Sequence, residues 1–323
     1  MAGNTNYATL ATTTLANFAD EIFDGVLGNL PVLYHMKEAG NIKISSGGTS
    51  FTHPIEHGTN TNFGAISKLG TIPTDIQDPY SRSEWSIKVV AGAVVVSIVD
   101  QAMNAGDKEK LIDLVQALKS NATNSVVEVL GTQFWQASPG TNDFNSIPQI
   151  ISSTASTDTN ALGGIDSSAA TQTFWRPYVY ATAVTAFNTS NAGLTAMDTA
   201  RVGATFGKRG PTMIATTKAI YSLYQLALTP QVRYTQLDKG EAGFQNLLYA
   251  TMPVYFDDDC TANRMFFIDT NGLRLQVLKE GNMRSTPFQQ AYNQLVIRSI
   301  LYLVGNLTCG SRRTQATIAS ITA

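Results

Sequence analysis

Charged side chains are scarce in this sequence of 323 residues. Aspartate, glutamate, lysine and arginine make up 14% of it, whereas they account for about a quarter of a typical soluble domain. A chain with so little charge must place a large neutral surface, and extensive contact between subunits is one way to do so. The net charge of −2 and the lack of a basic cluster larger than Arg312-Arg313 argue against a sequence-specific DNA-binding protein.

Cysteine and long apolar runs are also scarce. The two cysteines, Cys260 and Cys309, are too few for a disulfide framework, so we expect free thiols in a reducing cytoplasm. The first fourteen residues lack the basic and apolar regions of a secretory signal peptide, and no apolar run reaches about 18 residues. We therefore expect neither export by that route nor a membrane-embedded segment.

Histidine is limited to His35, His53 and His57, and none of them lies near a serine or cysteine in a nucleophile motif. His53 and His57 surround Pro54 on a predicted strand. Residues four apart on a strand are about 13 Å from each other, which is too far for them to share one zinc ion. The sequence therefore predicts no catalytic histidine and no metal site.

Two other segments superficially resemble ligand-binding loops. The segment from Gly203 to Arg209 is one residue too short for a phosphate-binding loop, and Arg209 replaces the magnesium-binding Ser/Thr, so a helix end followed by a basic turn is predicted. Three consecutive carboxylates, Asp257 to Asp259, point in different directions, and no calcium-loop Gly or Glu follows. The turn at Asp269 fails the same test. We predict a solvated acidic loop and no catalytic, cofactor-binding or metal residue.

The C-terminal quarter is dense in apolar runs and turns. Leu247 to Phe256 is predicted to be one buried strand and Arg264 to Ile268 a second one. The turn from Asp269 to Gly272 contains Asn-Gly, which favours a tight hairpin. A long, nearly uncharged strand is predicted between Phe288 and Thr308. These features indicate a structural scaffold.

The N-terminal third predicts an amphipathic helix and a hairpin. The helix ends at Gly28 and packs either on its own domain or on another copy of the chain; its apolar residues are Leu15, Phe18, Ile22, Val26 and Leu27. Strands are predicted over Ser50 to Ile55 and Tyr80 to Ile98. The second strand is expected to place a set of side chains on one face, comprising Trp85, Ile87, Val89, Ala91, Ala93 and Val95. The loop from Gly58 to Pro79 is long enough to suggest either a binding role or a mobile surface hairpin.

The middle of the chain predicts helices and one strand. Asp107 caps a helix of about thirty residues, or about 45 Å, that stops before Ser138. A polar linker is predicted from Ser152 to Thr173. A capping box beginning at Thr195 starts a helix that ends at Gly207, Met213 to Ala215 is predicted to be a strand, and Thr217 caps a helix stopped by Pro230.

The order of these elements resembles that of the major capsid proteins of tailed bacteriophages, which have the Hong Kong 97 fold. In the C-terminal part, a buried strand ending in an acidic loop, a hairpin, a long strand, Gly310 and a Ser-Arg-Arg turn follow one another. No single short motif carries the resemblance; the order does, over nearly the whole chain. It implies an α+β fold with an N-terminal arm, an extended loop, a peripheral domain with a long spine helix, and an axial domain.

The resemblance also implies boundaries for these parts. They are the N-terminal arm (1–46), the extended loop or β-hairpin (47–98), the peripheral domain with the spine helix (99–150), the axial domain (151–277), the return strands of the peripheral domain (278–309) and a C-terminal segment that returns to the axial domain (310–323). The arm and the extended loop would lie on neighbouring subunits.

The function implied by the resemblance is that of a major head protein and not of an enzyme. Copies of the chain would self-assemble in the host cytoplasm into hexamers and pentamers of an icosahedral virion shell. The shell would enclose double-stranded DNA without sequence-specific binding, without cofactors and without a membrane. The sequence begins almost directly with the arm, so either a separate scaffolding protein guides assembly or a built-in scaffold segment was removed. The first is expected, together with a portal and possible decoration proteins.

Three alternatives and one chemical possibility remain. An encapsulin-like nanocompartment shell shares the fold but encloses enzymes, a hydrolase would need an acid/base pair that the sequence lacks, and an adhesin or fibre would show repeats or heptads. Some members of the capsid family link a loop lysine to an asparagine of a neighbour. Lys68 is the only lysine in this loop, and its Gly- and Thr-rich surroundings favour a solvated side chain.

Overall fold

The computed structural model describes residues 30–68, 70–99, 121–122, 124–126, 128–159, 161–188, 191–228 and 247–322. The described helices are α1 (Pro31–Glu38), α2 (helical residues within 121–135), α3 (Ile147–Ile150), α4 (Ala192–Ala204) and α5 (Lys218–Ala227). The amphipathic helix predicted for residues 15–27 and the helix start predicted at Asp107 lie outside the described residues.

The strands are β1 (Ile42–Ser45), β2 (Ser50–Glu56), β3 (Tyr80–Ser86), β4 (Lys88–Ser97), β5 (Tyr178–Tyr180), β6 (Met213–Thr216), β7 (Leu247–Tyr249), β8 (Met252–Phe256), β9 (Met265–Ile268), β10 (Leu273–Leu278), β11 (Arg284–Ser285), β12 (Gln289–Gln290), β13 (Val296–Cys309) and β14 (Ala316–Ile318). Among the described residues they form three sheets. The mixture of helices with largely antiparallel sheets confirms the predicted α+β class.

The long strand β13 organises the first sheet. It pairs antiparallel with β4 along one edge, and with β10, β11 and β12 along the other. Strand β1 adds to β10 in parallel. The predicted long strand is therefore confirmed, although it starts at Val296, later than expected.

The second sheet has the order β5-β14-β9-β6-β8-β7 and is covered on both faces. In β9, Phe266 and Ile268 face a core shared with α1, α2 and the first sheet, whereas Met265 and Phe267 face a core shared with α4 and α5. A strand buried on both sides has no polar face. This explains why its sequence is a continuous apolar run with no alternation.

The apolar run from Leu247 to Phe256 is a hairpin, so the prediction of a single strand is wrong. Strands β7 and β8 pair antiparallel with Tyr249 opposite Met252. The two residues between them, Ala250 and Thr251, have φ angles of 46° and 71°. Positive φ at both positions is the geometry of a type I′ turn, which usually contains Asn and Gly. The turn carries no such sequence signal.

The turn from Asp269 to Gly272 is present, but the hairpin predicted around it is not. The Gly272 N–H donates to the Asp269 carbonyl at 3.1 Å, yet β9 belongs to the second sheet and β10 to the first. The turn passes the chain from one sheet to the other. The Asn-Gly sequence predicts the position of the turn but not the pairing of the strands on either side.

The predicted strand from Tyr80 to Ile98 is broken at Ile87 into β3 and β4, and the break reverses which side chains are buried. Trp85 is buried in β3, whereas in β4 the buried residues are Val94 and Val96. The prediction that Trp85, Val89 and Val95 share one face is therefore wrong, since Val89 and Val95 are exposed in the chain. A single irregular residue changes the face of every later side chain because the period of a strand is two.

Two further predictions are corrected in the middle of the chain. Residues 152–173 are not a simple linker, since Ile165 and Ser167 are buried and Gly163 packs on the rings of Trp85 and Trp175. The helix predicted to start at Thr195 and to end at Gly207 is α4, which starts at Ala192 and ends at Ala204. Strand β6 and the start of α5 after Thr217 are as predicted.

Within the described part of the chain, we find no helix with the length and apolar character needed to cross a lipid bilayer.

Candidate subunit-contact surface

The hairpin of β2 and β3 is anchored to the body of the chain by one buried face. Phe51 and Ile55 on β2 and Trp85 on β3 belong to the core that the first sheet shares with α1 and α2. The Trp85 indole N–H donates to the Ser83 hydroxyl at 3.1 Å, and Ser83 donates to the Cys309 carbonyl at 3.4 Å. The two strands therefore hold a fixed orientation relative to β13.

A buried polar chain joins the same hairpin to the first sheet. His53 Nε2 lies 2.9 Å from the Thr308 hydroxyl, and that hydroxyl donates to the Arg274 carbonyl at 3.1 Å. The guanidinium of Arg274 lies 3.5 Å from His53 Nδ1. Because the guanidinium only donates, Nδ1 must accept and Nε2 must carry the proton. The contacts thus select one neutral tautomer of His53.

Burial, followed by the charge of Arg274, lowers the pKa of His53 to about 4. Protonation would place a second N–H against the guanidinium, which has no lone pair to offer. His53 is therefore a structural neutral histidine. The strand pattern of the sequence held no signal for its partners, which lie 221 and 255 residues away.

Asn306 fixes the other end of β3. Its side-chain oxygen accepts from the N–H groups of Asn145 and Leu307 at 2.9 and 2.8 Å, and its amide donates to the Ser86 carbonyl at 2.8 Å. The side chain is completely buried. One amide therefore ties β13 to the end of β3 and to the segment before α3.

The loop tip, residues 58–79, contrasts with this anchored base. The His57 N–H closes its neck by donating to the Pro79 carbonyl at 2.9 Å, and the Asn62 amide crosses it to the Asp75 carbonyl at 2.7 Å. Four large apolar side chains of the tip are exposed, namely Phe63, Ile66, Ile72 and Ile76. Phe63 is 85% exposed and Ile76 fully exposed. Such a group of apolar side chains outside any core is characteristic of an interaction surface.

A second apolar surface lies on the first sheet and was missed by the sequence analysis. It consists of Val89, Val95, Val99, Tyr292, Leu295 and Ile300, all of which are exposed in the chain. Among the described residues, β4 pairs only with β13. Of these residues, Val89 and Val95 belong to the apolar alternation described in the sequence analysis, and the break at Ile87 turns them outward.

The residues considered for catalysis or metal binding have separate surroundings in the structure. His35 is buried, His53 is engaged as described above, and the ring of His57 stacks on Phe174 with 4.4 Å between centroids. Lys68 lies exposed in the loop tip. Among the described residues, no group of three His, Cys, Asp or Glu side chains could hold a metal ion.

The acidic run is only partly solvated, which corrects the prediction. Asp257 is buried, accepts the Asp259 N–H at 3.1 Å, and has its pKa raised, chiefly by burial. Asp258 is exposed and pairs with Lys218 at 2.7 Å. The first carboxylate therefore closes the turn after β8, and the second holds the start of α5.

Both cysteines are buried, and the basic turn is a hydrogen-bonded turn that follows α4. Cys260 and Cys309 are free and buried, and burial raises the pKa of the Cys309 thiol to about 12. After α4, the chain makes a tight turn in which Phe206 and Arg209 exchange backbone hydrogen bonds at 2.7 and 3.0 Å. Gly207 takes a φ of 60° in this turn. The predicted helix end and basic turn are present, with the helix ending earlier than expected.

Comparison with other proteins finds no matching protein-family model and no curated protein of similar sequence. The fold, in contrast, matches solved structures over most of the chain. A capsid asymmetric unit of cyanophage A-1(L) superposes with a TM-score of 0.65 at 18% identity, covering 88% of this chain and 91% of that one. Mycobacterium phage Bobi gives 0.54 at 9% identity, covering 88% and 90%.

A third similar structure is the holo-SrpI encapsulin complex from Synechococcus elongatus, with a TM-score of 0.51 at 7% identity and coverage of 88% and 86%. The chain therefore has the capsid-protein fold implied by its resemblance to tailed-phage head proteins. The shared fold covers nearly the full length of each partner in the comparison. The identities are low enough that only the fold carries over.

Proposed function

We propose that this chain is the major capsid protein of a tailed bacteriophage. In this proposal, copies of it form hexamers and pentamers of an icosahedral shell around double-stranded DNA. The observation that carries the proposal is the combination of a capsid-protein fold with a loop tip whose large apolar side chains, Phe63, Ile66, Ile72 and Ile76, are exposed. Phe63 and Ile76 would be buried on a neighbouring copy, where their transfer from water stabilises the contact.

The remaining parts follow from the same assignment. Residues 1–46 would form the arm, 47–98 the extended loop, 99–150 and 278–309 the peripheral domain, and 151–277 with 310–323 the axial domain. Many modest contacts between copies would add up because each contact raises the effective concentration of the next. A scaffolding protein, a portal and decoration proteins would complete the head, which assembles in the host cytoplasm.

The direct test is negative-stain imaging of the purified chain beside the double variant Phe63→Ser/Ile76→Ser. We expect shells or hexamers from the original chain, either alone or with a co-expressed scaffolding protein. The variant should remain in small species with an unchanged unfolding midpoint. Phe63→Tyr is the matched control, since it keeps most of the apolar area and should assemble. Assembly of the double variant would contradict the role of the loop tip.

An encapsulin-like shell is the second candidate, because the encapsulin complex is among the similar folds. The two candidates differ in what the shell contains. Small closed cages that form from this chain alone and retain a co-expressed enzyme would favour the nanocompartment. Shells that need a scaffolding protein and package DNA would favour the phage head. Monomers with no tendency to associate would contradict both.

A further inference from the structure

A polar cavity of about 400 Å³ opens beside the neck of the loop tip. It lies between the end of β2, the 3-10 helical segment Ala170–Trp175, the start of β5 and the last turn of α4. The side chains that give it its chemistry are those of His57, Thr171, Thr173, Arg176, Tyr178 and Arg313. No aspartate or glutamate is among the described residues that line it.

Arg176 is held in a fixed position at this cavity. Its Nε donates to the Ser167 carbonyl at 2.6 Å, and Nη2 donates to the carbonyls of Ser168 and Ala169 at 2.9 and 3.2 Å. Among the described residues, none accepts a hydrogen bond from Nη1. Three carbonyls satisfy part of the guanidinium but do not neutralise its charge, so a positive donor remains available at the cavity.

Arg313 supplies the second cation. Its guanidinium carbon lies 4.0 Å from the centroid of the exposed Phe206 ring. Stacking on a ring face leaves the in-plane N–H groups free to donate sideways, in the geometry that binds a phosphate with two hydrogen bonds. Both arginines are therefore oriented before any ligand arrives, which lowers the entropic cost of binding.

Two features oppose an anion at this position, and both are weaker. The carboxyl end of α4 contributes about half a negative charge, against two full positive charges. The carboxylate of Asp166 is close enough to Arg176 to have its pKa lowered, but the larger causes are hydrogen bonds from Ser168. That carboxylate is already engaged with Ser168 and does not line the cavity. The balance of charge in the cavity remains positive.

We propose that this cavity binds a phosphate group, with Arg176 and Arg313 as the cationic ligands and the threonine hydroxyls as additional donors. The phosphate could belong to a free polyphosphate anion or to a nucleic-acid backbone, since the recognition chemistry is the same. Phe174 and Tyr178 also line the cavity. The proposal rests on residues of one subunit and not on the proposed function.

The test is isothermal titration of the purified full chain with sodium pyrophosphate and, separately, with a single-stranded oligonucleotide of about a dozen nucleotides. The ionic strength is held constant with potassium chloride. We expect saturable binding, with Arg313→Gln raising the Kd about tenfold or more, because a charge-assisted pair is lost. Arg284→Gln, the matched control on β11, removes the same charge away from the cavity and should change the Kd less than about twofold.

Binding of pyrophosphate alone would identify a free anion as the ligand, and binding of the oligonucleotide alone would identify a nucleic-acid phosphate. The proposal is overturned if neither probe saturates, or if Arg284→Gln weakens binding as much as Arg313→Gln does. Should Arg313→Gln fail to fold, Arg313→Lys carries the test, since it keeps the charge and loses the paired donors. It should still raise the Kd several-fold.

Discussion

Two hairpins in this chain differ greatly in the length of the loop that joins their strands. Strands β7 and β8 are joined by two residues, Ala250 and Thr251, even though neither residue favours positive φ. Strands β2 and β3 pair over seven residues each and are joined by more than twenty, among which Phe63, Ile66, Ile72 and Ile76 are exposed. Two residues are therefore enough to connect two antiparallel strands in this chain, as β7 and β8 show.

The length of the loop between β2 and β3 is thus not explained by contacts within one subunit. Its base is fixed by buried residues such as Trp85 and His53, whereas its tip adds exposed apolar area and few hydrogen bonds. Within one subunit the base contributes stability and the tip does not. The following experiments test this division, in order of decreasing effect on the free energy of unfolding.

Trp85→Ala should have the largest effect, lowering the free energy of unfolding by about 3–5 kcal/mol. The substitution removes the largest buried side chain of the hairpin base and its hydrogen bond to Ser83. Urea denaturation followed by circular dichroism measures the change. Trp85→Phe, which keeps most of the volume, should cost clearly less. A loss below about 1 kcal/mol would show that the base is not anchored.

Acidification should weaken the base through His53. Its pKa is lowered to about 4 in the folded chain from about 6.5 in the unfolded chain, so only the unfolded chain binds a proton between these values. Stability from this group is complete above pH 6.5 and is lost as the pH falls towards 4, by about 2–3 kcal/mol.

The comparison of the original chain with His53→Asn isolates this contribution, because Asp257 and Asp269, whose pKa values are raised, are common to both proteins. Urea denaturation at pH 7 and pH 4.5 gives, for each protein, the change in the free energy of unfolding between the two pH values. The variant should lose less stability than the original chain on acidification. Parallel pH profiles would mean that His53 is not held neutral.

Thr251→Gly should stabilise the tight hairpin by about 1 kcal/mol. A threonine at a φ of 71° is strained, and glycine adopts this conformation freely, although it gives back part of the gain as unfolded-state entropy. Thr251→Ala keeps the strain and serves as the control. Thermal unfolding should show a raised Tm for glycine only. An equal or lower Tm for glycine would contradict the type I′ geometry.

Removing residues 61–76 should change stability least, by less than about 1 kcal/mol, because closure entropy depends weakly on loop length. The shortened chain should fold and yet form no shells, which separates the tip from the base. Denaturation and light scattering on the same sample measure both properties. Unfolding of the shortened chain would show that the tip contributes to the subunit's own stability.

The sequence was sufficient for elements whose signal is local. The strand β6, the start of α5 after Thr217, the turn at Asp269 and the long strand β13 all follow from apolar periodicity and turn residues. The resemblance to phage head proteins gave the fold, which the structural comparisons confirm. The long exposed loop was recognisable because few compact domains tolerate such a segment without a function.

The failures concern features that depend on distant residues. The turn between β7 and β8 has no Gly or Asn, so its strain must be sustained by the surrounding sheet. The irregular residue Ile87 has no distinguishing chemistry, and it decides which face of β4 is buried. The partners of His53, and the gathering of Arg176 with Arg313, join segments more than 100 residues apart. No local pattern contains that information.

The passage between the two sheets has a mechanical consequence. The chain crosses from β9 to β10 and returns from β13 to β14, and the Gly310 N–H bonds the Gly272 carbonyl where the crossings meet. Gln315 clamps the same place by accepting from the Asp269 N–H and donating to its carbonyl, at 2.8 and 3.0 Å. Two covalent crossings braced in this way resist sliding of one sheet past the other. A force applied to one sheet would therefore be passed to the other through this crossing.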